Sequence, residues 1–187
     1  MKREHLENLN VITAKMLETL FNQQFELVDH VKPEQTPTFK SKYLAQIGLR
    51  NKTAQVHLML GFSEEASQVV LKEVLTLTNK PNEQVELAKS ALGELSNTVA
   101  CEVASNKMMI EELGQLLPTP PLVWVMETSQ PDFIKGDGLS GYLQKGELKI
   151  HTFISILPVL KIGKGNVDAN SWSPTESLSI YDPHSSN

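Results

Sequence analysis

The chain has 187 residues and a formal net charge of -5, and charges of both signs are scattered along it. That length suits one domain with a full hydrophobic core. There is no basic block of the kind that binds nucleic acid or lipid, no apolar run of the ~20 residues that span a bilayer, and no signal-peptide pattern. The only cysteine, Cys101, excludes an internal disulfide and a cysteine-rich zinc site. We therefore expect a cytoplasmic protein.

Hydrophobic periodicity and turn residues predict the secondary structure along the chain. The expected elements are a helix over 5–21, a short strand over 25–31 and a hairpin of strands 43–49 and 53–62. They continue with a helix capped by Ser63 that reaches about 75, a long helix that begins at 81–82 and reaches at least 105, a buried strand over 122–126, and a strand over 147–157 after a glycine-rich turn. The order of helix, strand and strand pair occurs twice, which suggests two diverged copies of one unit. We expect an α+β domain over residues 1–162 and a polar, poorly ordered tail over 163–187.

The long helix carries the most informative pattern. Its apolar positions fall on one side of a helical wheel: Val85, Ala88, Leu92, Leu95 and Val99. A second group clusters within about 60° on the opposite side: Ser90, Glu94, Asn97 and Cys101. On spacing alone, this row is typical of the solvated side of an amphipathic helix. Gly93 favours a special role, because glycine inside a helix costs about 1 kcal/mol relative to alanine.

These residues resemble the phosphatase signature of the CheC, CheX and FliY chemotaxis proteins. That signature has Asp or Ser, then Glu, then Asn, and then Pro 23 positions after the Asn, which Ser90, Glu94, Asn97 and Pro120 match. The resemblance covers residues 5–160 and implies a pseudo-two-fold fold, in which two long helices pack on one face of a mixed or antiparallel sheet. It also implies dephosphorylation of the aspartyl phosphate of a CheY-like response regulator in chemotaxis or motility signalling.

The resemblance assigns catalysis to Glu94 and Asn97. Asn97 would orient the attacking water through its amide, and Glu94 would pair with a lysine of the regulator. Ser90 would support Glu94 or contact the partner backbone, and Pro120 would be structural. No cofactor of the chain's own is expected, because the regulator brings its Mg²⁺. Cys101 stands where many relatives have glycine, which bears on how closely a partner approaches.

A second, weaker candidate site lies on the first helix. Glu7 and Asn10 repeat the Glu-x-x-Asn spacing, and Pro33 lies 23 positions after Asn10. Arg3, however, replaces the expected Asp or Ser, and Asn10 lies near the apolar side of the wheel. We therefore expect one site, as in CheX, rather than two, as in CheC.

Other patterns predict no further chemistry. The glycines of 136–141 satisfy a dinucleotide-binding spacing, but no strand precedes them and no helix follows, which indicates a hairpin or loop. The five histidines share no metal-ligand spacing, and His57 and His151 are expected at the surface or edge of strands. Two alternatives remain at this stage: a module that binds a receiver or a flagellar-switch component without hydrolysis, and a homodimer whose sheets join edge to edge.

Overall fold

The computed structural model describes residues 1–29, 31–34, 40–126 and 137–159. It contains five helices and eight strands in this part of the chain. In order they are α1 (Arg3–Phe21), β1 (Glu26–Leu27), β2 (Lys32–Glu34), β3 (Tyr43–Arg50), β4 (Ala54–Phe62), α2 (Glu64–Val70), α3 (Lys72–Leu75), α4 (Pro81–Ser105), α5 (Lys107–Leu113), β5 (Leu117–Pro118), β6 (Leu122–Val125), β7 (Gly138–Lys145) and β8 (Leu148–Pro158).

All the described strands form one antiparallel sheet. Its main order is β1-β7-β8-β4-β3-β5, with β2 also pairing with β7 and β6 also pairing with β3. The two central strands are β4 and β8, and Leu58 pairs with Ile154 at the middle of their register. The sheet is therefore purely antiparallel, which resolves the predicted choice between mixed and antiparallel.

Two similar halves interlock around this central strand pair. Helix α1 packs on β7 and β8 from the second half of the chain, whereas α4 packs on β3 from the first half. The short edge strands are exchanged in the same way, because β1 and β2 pair with β7, while β5 and β6 pair with β3. The arrangement confirms an α+β fold with two long helices on one face of the sheet.

The core lies between the two long helices and the sheet. Its largest side chains include Leu6, Leu9 and Leu17 of α1 and Leu92 of α4, all fully buried. Burial of a leucine side chain contributes about 1.5–3 kcal/mol, so this apolar layer fixes which side of each helix faces outward.

The polar residue Asn106 joins three helices. It ends α4 and caps α5, where its side-chain oxygen accepts a hydrogen bond from the Met108 backbone N–H at 3.0 Å. Its Nδ2 donates to Asn8 Oδ1 on α1 at 2.9 Å. The N-terminal half of α1 therefore lies beside the C-terminal end of α4.

Three strand predictions need correction. The strand expected over 25–31 is replaced by two shorter ones, β1 and β2. The expected glycine-rich turn contains a complete strand, β7, whose first residue is Gly138. Position 138 requires glycine, because a Cβ there would overlap the Phe153 ring. In the described residues from 137 onward, strands β7 and β8 follow and no helix does, so Gly138 and Gly141 belong to no dinucleotide-binding turn. His57 and His151 lie half-buried on the central strands β4 and β8, and not at an edge.

The strand predicted at 122–126 is present as β6, but it is not buried. It lies at the edge of the sheet against β3, with Leu122 55%, Trp124 39% and Val125 37% exposed. A continuous apolar run is typical of a buried strand, but an edge strand with little structure on its outer side exposes the same residues.

The predicted tail at 163–187 lies outside the described residues. Among the helices that the structure describes, none is both long and apolar enough to cross a membrane.

Candidate functional site on helix α4

The predicted polar row lies on the outward side of α4, with one difference. Ser90, Glu94 and Cys101 are exposed, whereas Asn97 is only half-exposed. The buried side of α4 is wider than the predicted stripe, because it also includes Gly93, Ser96 and other small residues that face the sheet and α1. Asn97 consequently lies at the margin of the exposed surface and not at its centre.

A groove separates this part of α4 from strand β6. It has a volume of about 340 Å³, and its lining comprises Lys89, Ser90, Gly93, Glu94, Pro121 and Val123. Gly93 faces this strand, since a Cβ built there would lie 3.7 Å from Val123 Cγ2 and 3.8 Å from Pro121 Cγ. Gly93 therefore keeps the groove open between a polar wall on α4 and an apolar wall on β6.

Glu94 and Asn97 have no side-chain hydrogen bond or ion pair with any described residue. The nearest lysine along the helix, Lys89, pairs instead with Glu86, with Nζ–Oε1 and Nζ–Oε2 distances of 3.0 and 3.3 Å. Thr98 donates to the Glu94 backbone carbonyl at 2.9 Å and leaves the carboxylate untouched. A free carboxylate and a free amide therefore stand one turn apart on the same helix.

We expect Ser90 either to support Glu94 or to contact the backbone of a partner. Its hydroxyl forms no hydrogen bond with Glu94 or with any other residue in the described part of the chain. It is exposed on the wall of the groove, where it would be accessible to a partner.

Pro120 lies in the short link between β5 and β6 and is exposed. The residue before it, Thr119, attaches this link to the sheet. The Thr119 backbone N–H donates to the Gly48 carbonyl at 2.8 Å, and the Gly48 N–H donates to Thr119 Oγ1 at 3.1 Å. The sequence did not identify Thr119, Pro121 or Val123. Their contribution to the groove depends on the pairing of β6 with β3.

The corresponding residues of α1 have different surroundings. Glu7 is exposed, but Arg3 Nε donates to its Oε1 at 2.6 Å, and Arg3 also pairs with Asp29. The hydrogen bond that Arg3 donates to Glu7 and the charge of Asp29 raise the pKa of Arg3. Asn10 is only 5% exposed, and its Oδ1 accepts a hydrogen bond from the Thr152 hydroxyl at 2.7 Å.

The described residues contain no group of three or more His, Cys, Asp or Glu side chains arranged to hold a metal ion. Cys101 is a free, exposed thiol. The exposed side of α4 therefore presents a carboxylate, an amide, hydroxyls and one thiol.

Comparison with known proteins identifies the architecture. No family model and no curated protein matches this sequence. Among solved structures, the chemotaxis protein CheX from Vibrio vulnificus superposes with a TM-score of 0.65 at 14% identity, covering 82% of this chain and 99% of that one. A CheC-like superfamily protein from Shewanella sp. PV-4 superposes with a TM-score of 0.69 at 14% identity, with coverages of 84% and 99%. The chain has the CheX/CheC-like fold.

A third similar structure contains a partner. It is a CheX–CheY–BeF3–Mg²⁺ complex from Borrelia burgdorferi, with a TM-score of 0.64 and 16% identity, covering 83% of this chain and 99% of that one. The superpositions show a shared fold at low sequence identity, and the predicted CheC/CheX-like α+β fold is confirmed.

Proposed function

We propose that this protein hydrolyses the aspartyl phosphate of a CheY-like receiver in chemotaxis or motility signalling, with Glu94 and Asn97 as catalytic residues. The main support for this proposal is the arrangement of Glu94 and Asn97. On a CheX-like fold, at the spacing of the phosphatase signature, α4 presents a carboxylate and an amide that no described residue engages.

The reaction requires little from the phosphatase beyond positioning and charge complementarity. Water attacks the phosphorus in line with the bond to the aspartyl oxygen; that bond breaks and leaves an aspartate carboxylate and inorganic phosphate. The Asn97 amide has both a donor and an acceptor, so it would hold the water in line without taking its proton. The receiver would supply the Mg²⁺ that neutralises the phosphoryl oxygens.

Glu94 would act in docking. Because no lysine or arginine of the described chain neutralises it, its carboxylate is available to a lysine of the receiver. The adjacent groove would accommodate the aliphatic stem of such a lysine along Pro121 and Val123, with the ammonium group at Glu94. The CheX–CheY complex supports a receiver as the partner.

The test of Asn97 separates catalysis from binding. Removing a single positioning group typically costs ~10²-fold in rate, so Asn97→Ala should lose most phosphate release from a phosphorylated receiver while its affinity for the receiver is nearly unchanged. Asn82→Ala is the matched control, because Asn82 is exposed on the first turn of the same helix. If Asn97→Ala kept more than half of the wild-type rate, the assignment would be wrong.

The test of Glu94 concerns affinity. Loss of a desolvated interfacial ion pair costs ~2–5 kcal/mol, so Glu94→Ala should weaken receiver binding, measured by titration calorimetry, by at least ~30-fold. Glu102→Ala is the control, since Glu102 is an exposed glutamate on the same helix without a described ion pair. Equal affinities of the Glu94 and Glu102 variants would contradict the docking role.

A second candidate function rests on the exposed edge strand. Leu122, Trp124 and Val125 of β6 present apolar surface at one edge of the sheet, which is suited to a second copy of the chain. A homodimer formed there would be compatible with catalysis on α4. Sedimentation should then give a dimer that Trp124→Lys disrupts, and a monomeric wild type would exclude it.

A further inference from the structure

A groove at the turn between β3 and β4 has no part in the proposed reaction. It has a volume of about 630 Å³, compared with about 340 Å³ for the groove beside α4. The described residues that line it are Arg50, Asn51, Lys52, Gln115, Leu117 and Pro118. The side chains of Arg50 and Lys52 are exposed at the turn, and Leu117 of the edge strand β5 is 64% exposed. The groove therefore combines two cations with an apolar wall.

The two cations of this groove have no counter-charge in the described part of the chain. Neither the guanidinium group of Arg50 nor the ammonium group of Lys52 forms an ion pair or a hydrogen bond with a described residue. Two like charges so close together raise the local positive potential, and a carboxylate bound between them would lower it. The groove is therefore suited to an acidic ligand that also carries apolar side chains.

The side chain of Asn51 holds the turn in a fixed shape. Its Oδ1 accepts hydrogen bonds from the backbone N–H groups of Thr53 and Ala54, both at 2.8 Å. Its Nδ2 donates to the Leu113 carbonyl at 2.7 Å and so attaches the turn to the C-terminal end of α5. The groove is consequently formed before anything binds to it, which lowers the entropic cost of binding.

The last described residues of the chain lie beside the same turn. Pro158 of β8 pairs with Ala54 of β4, and the Val159 backbone N–H donates to the Thr53 carbonyl at 3.0 Å. The groove is on the far side of the hairpin, because the strand order runs β8-β4-β3-β5. Three strand spacings amount to about 14 Å, which about five extended residues span. The segment 160–187 is therefore long enough to reach the groove.

The end of this segment has chemistry complementary to that of the groove. Residues 165–187 include Asp168, Glu176 and Asp182 but no lysine or arginine. Leu178 and Ile180 lie between the last two acids, so that acidic and apolar residues occupy every second position from 176 to 182. In an extended chain, alternate side chains point to the same side. Such a stretch would present two carboxylates and two apolar side chains to one surface.

We propose that residues 176–182 dock in the groove at the β3–β4 turn of their own chain. The two carboxylates would pair with Arg50 and Lys52, and the leucine and isoleucine would pack on Leu117 and Pro118. Because the segment is tethered beside the groove, its effective concentration there is on the order of millimolar, and a weak contact is sufficient. The inference is independent of the proposed function, since no residue of the α4 site takes part in it.

Nuclear magnetic resonance relaxation of the full chain, labelled with ¹⁵N, tests the contact. The backbone amides of residues 177–181 should have order parameters above ~0.6, the level below which a backbone is flexible. Arg50→Gln combined with Lys52→Gln should bring these values below ~0.6, because it removes both cations. The matched control is Lys15→Gln combined with Lys72→Gln, which removes two exposed charges without a described ion pair and should leave the values unchanged.

Substitutions on the segment give a reciprocal measurement that does not alter the folded domain. Glu176→Gln combined with Asp182→Asn should shift the amide resonances of residues 50–52 and 115–117, which line the groove, and leave those of α1 in place. This variant decides the question if the substitutions at Arg50 and Lys52 prevent folding. Unshifted groove resonances would then overturn the proposal.

Three results of the relaxation measurement would also overturn it. Order parameters below ~0.6 in the wild type would exclude docking and leave the groove to an acidic segment of another protein. Values that stay high in the variant without the two cations would mean that the segment binds elsewhere. Values that fall on dilution of the wild type would mean that the segment docks on a second copy of the chain.

Discussion

Helices α1 and α4 both pack against the sheet and share the Glu-x-x-Asn spacing, yet only α4 leaves both polar groups free. On α1 the glutamate pairs with Arg3 and the asparagine bonds to Thr152. The Glu-x-x-Asn motif alone therefore does not define a site. What matters is whether the chain itself satisfies the polar groups that a partner would otherwise engage.

The same chemical group therefore has two different roles in this molecule. The buried Asn10 amide contributes to folding, because its oxygen accepts a hydrogen bond in the interior. The half-exposed Asn97 amide contributes little to folding and is available for recognition.

The largest expected difference between the two helices is in activity. Glu94→Ala combined with Asn97→Ala should abolish phosphate release, a loss of at least ~10²-fold. Glu7→Ala combined with Asn10→Ala should leave the rate per folded molecule within about twofold, or ~0.4 kcal/mol in barrier. Phosphate release from a phosphorylated receiver measures both. A large loss in the α1 variant would mean that the protein has two working sites.

The next difference is in stability, where the substitution on α1 should have the larger effect. Asn10→Ala should lower the free energy of unfolding by ~1–3 kcal/mol, because it leaves the buried Thr152 hydroxyl without its acceptor. Asn97→Ala should change it by less than ~0.5 kcal/mol, as is usual for surface positions. Urea denaturation of both variants gives the two values. Equal destabilisation would show that the two amides are engaged to the same extent.

The smallest expected effect concerns Gly93, whose counterpart on α1 is the buried Leu6. A Cβ at position 93 would make ordinary van der Waals contacts with Val123 and Pro121. Gly93→Ala should therefore raise the free energy of unfolding by up to ~1 kcal/mol, through its higher helix propensity. A thermal melt would detect the increase as a higher Tm. A lower Tm would mean that α4 and β6 are packed too closely for a methyl group.

The long helices and strands could be predicted because their hydrophobic periodicity extends over many residues. The two long helices, the β3–β4 hairpin and the Ser63-capped helix are present near their predicted bounds, and the Ser63 hydroxyl accepts from the Ala66 N–H at 3.1 Å as expected of an N-cap. The helix that begins after Ser63 is interrupted at Leu71. The pseudo-two-fold order of elements was also predicted, since helix and strand patterns recur along the chain.

The remaining features depend on contacts that no local pattern encodes. Strands β1 and β5 have two residues each, which is too short for any periodicity. The exposure of Trp124 on β6 depends on its position at the edge of the sheet. The bonds of Arg3 to Asp29 and of Asn10 to Thr152 join residues far apart in sequence, so they appear only once the sheet is assembled.

Turnover of a phosphorylated receiver shows whether α4 carries a phosphatase site. A CheY-like receiver is phosphorylated, and the loss of its aspartyl phosphate is followed in Mg²⁺ with a small molar fraction of this protein. We expect each wild-type chain to release many phosphates. With Asn97→Ala at the same concentration and still bound to the receiver, the rate of phosphate loss should fall to within a few-fold of the spontaneous rate. A wild type that binds the phosphorylated receiver and leaves its spontaneous decay unchanged would contradict the account and leave a binding module in its place.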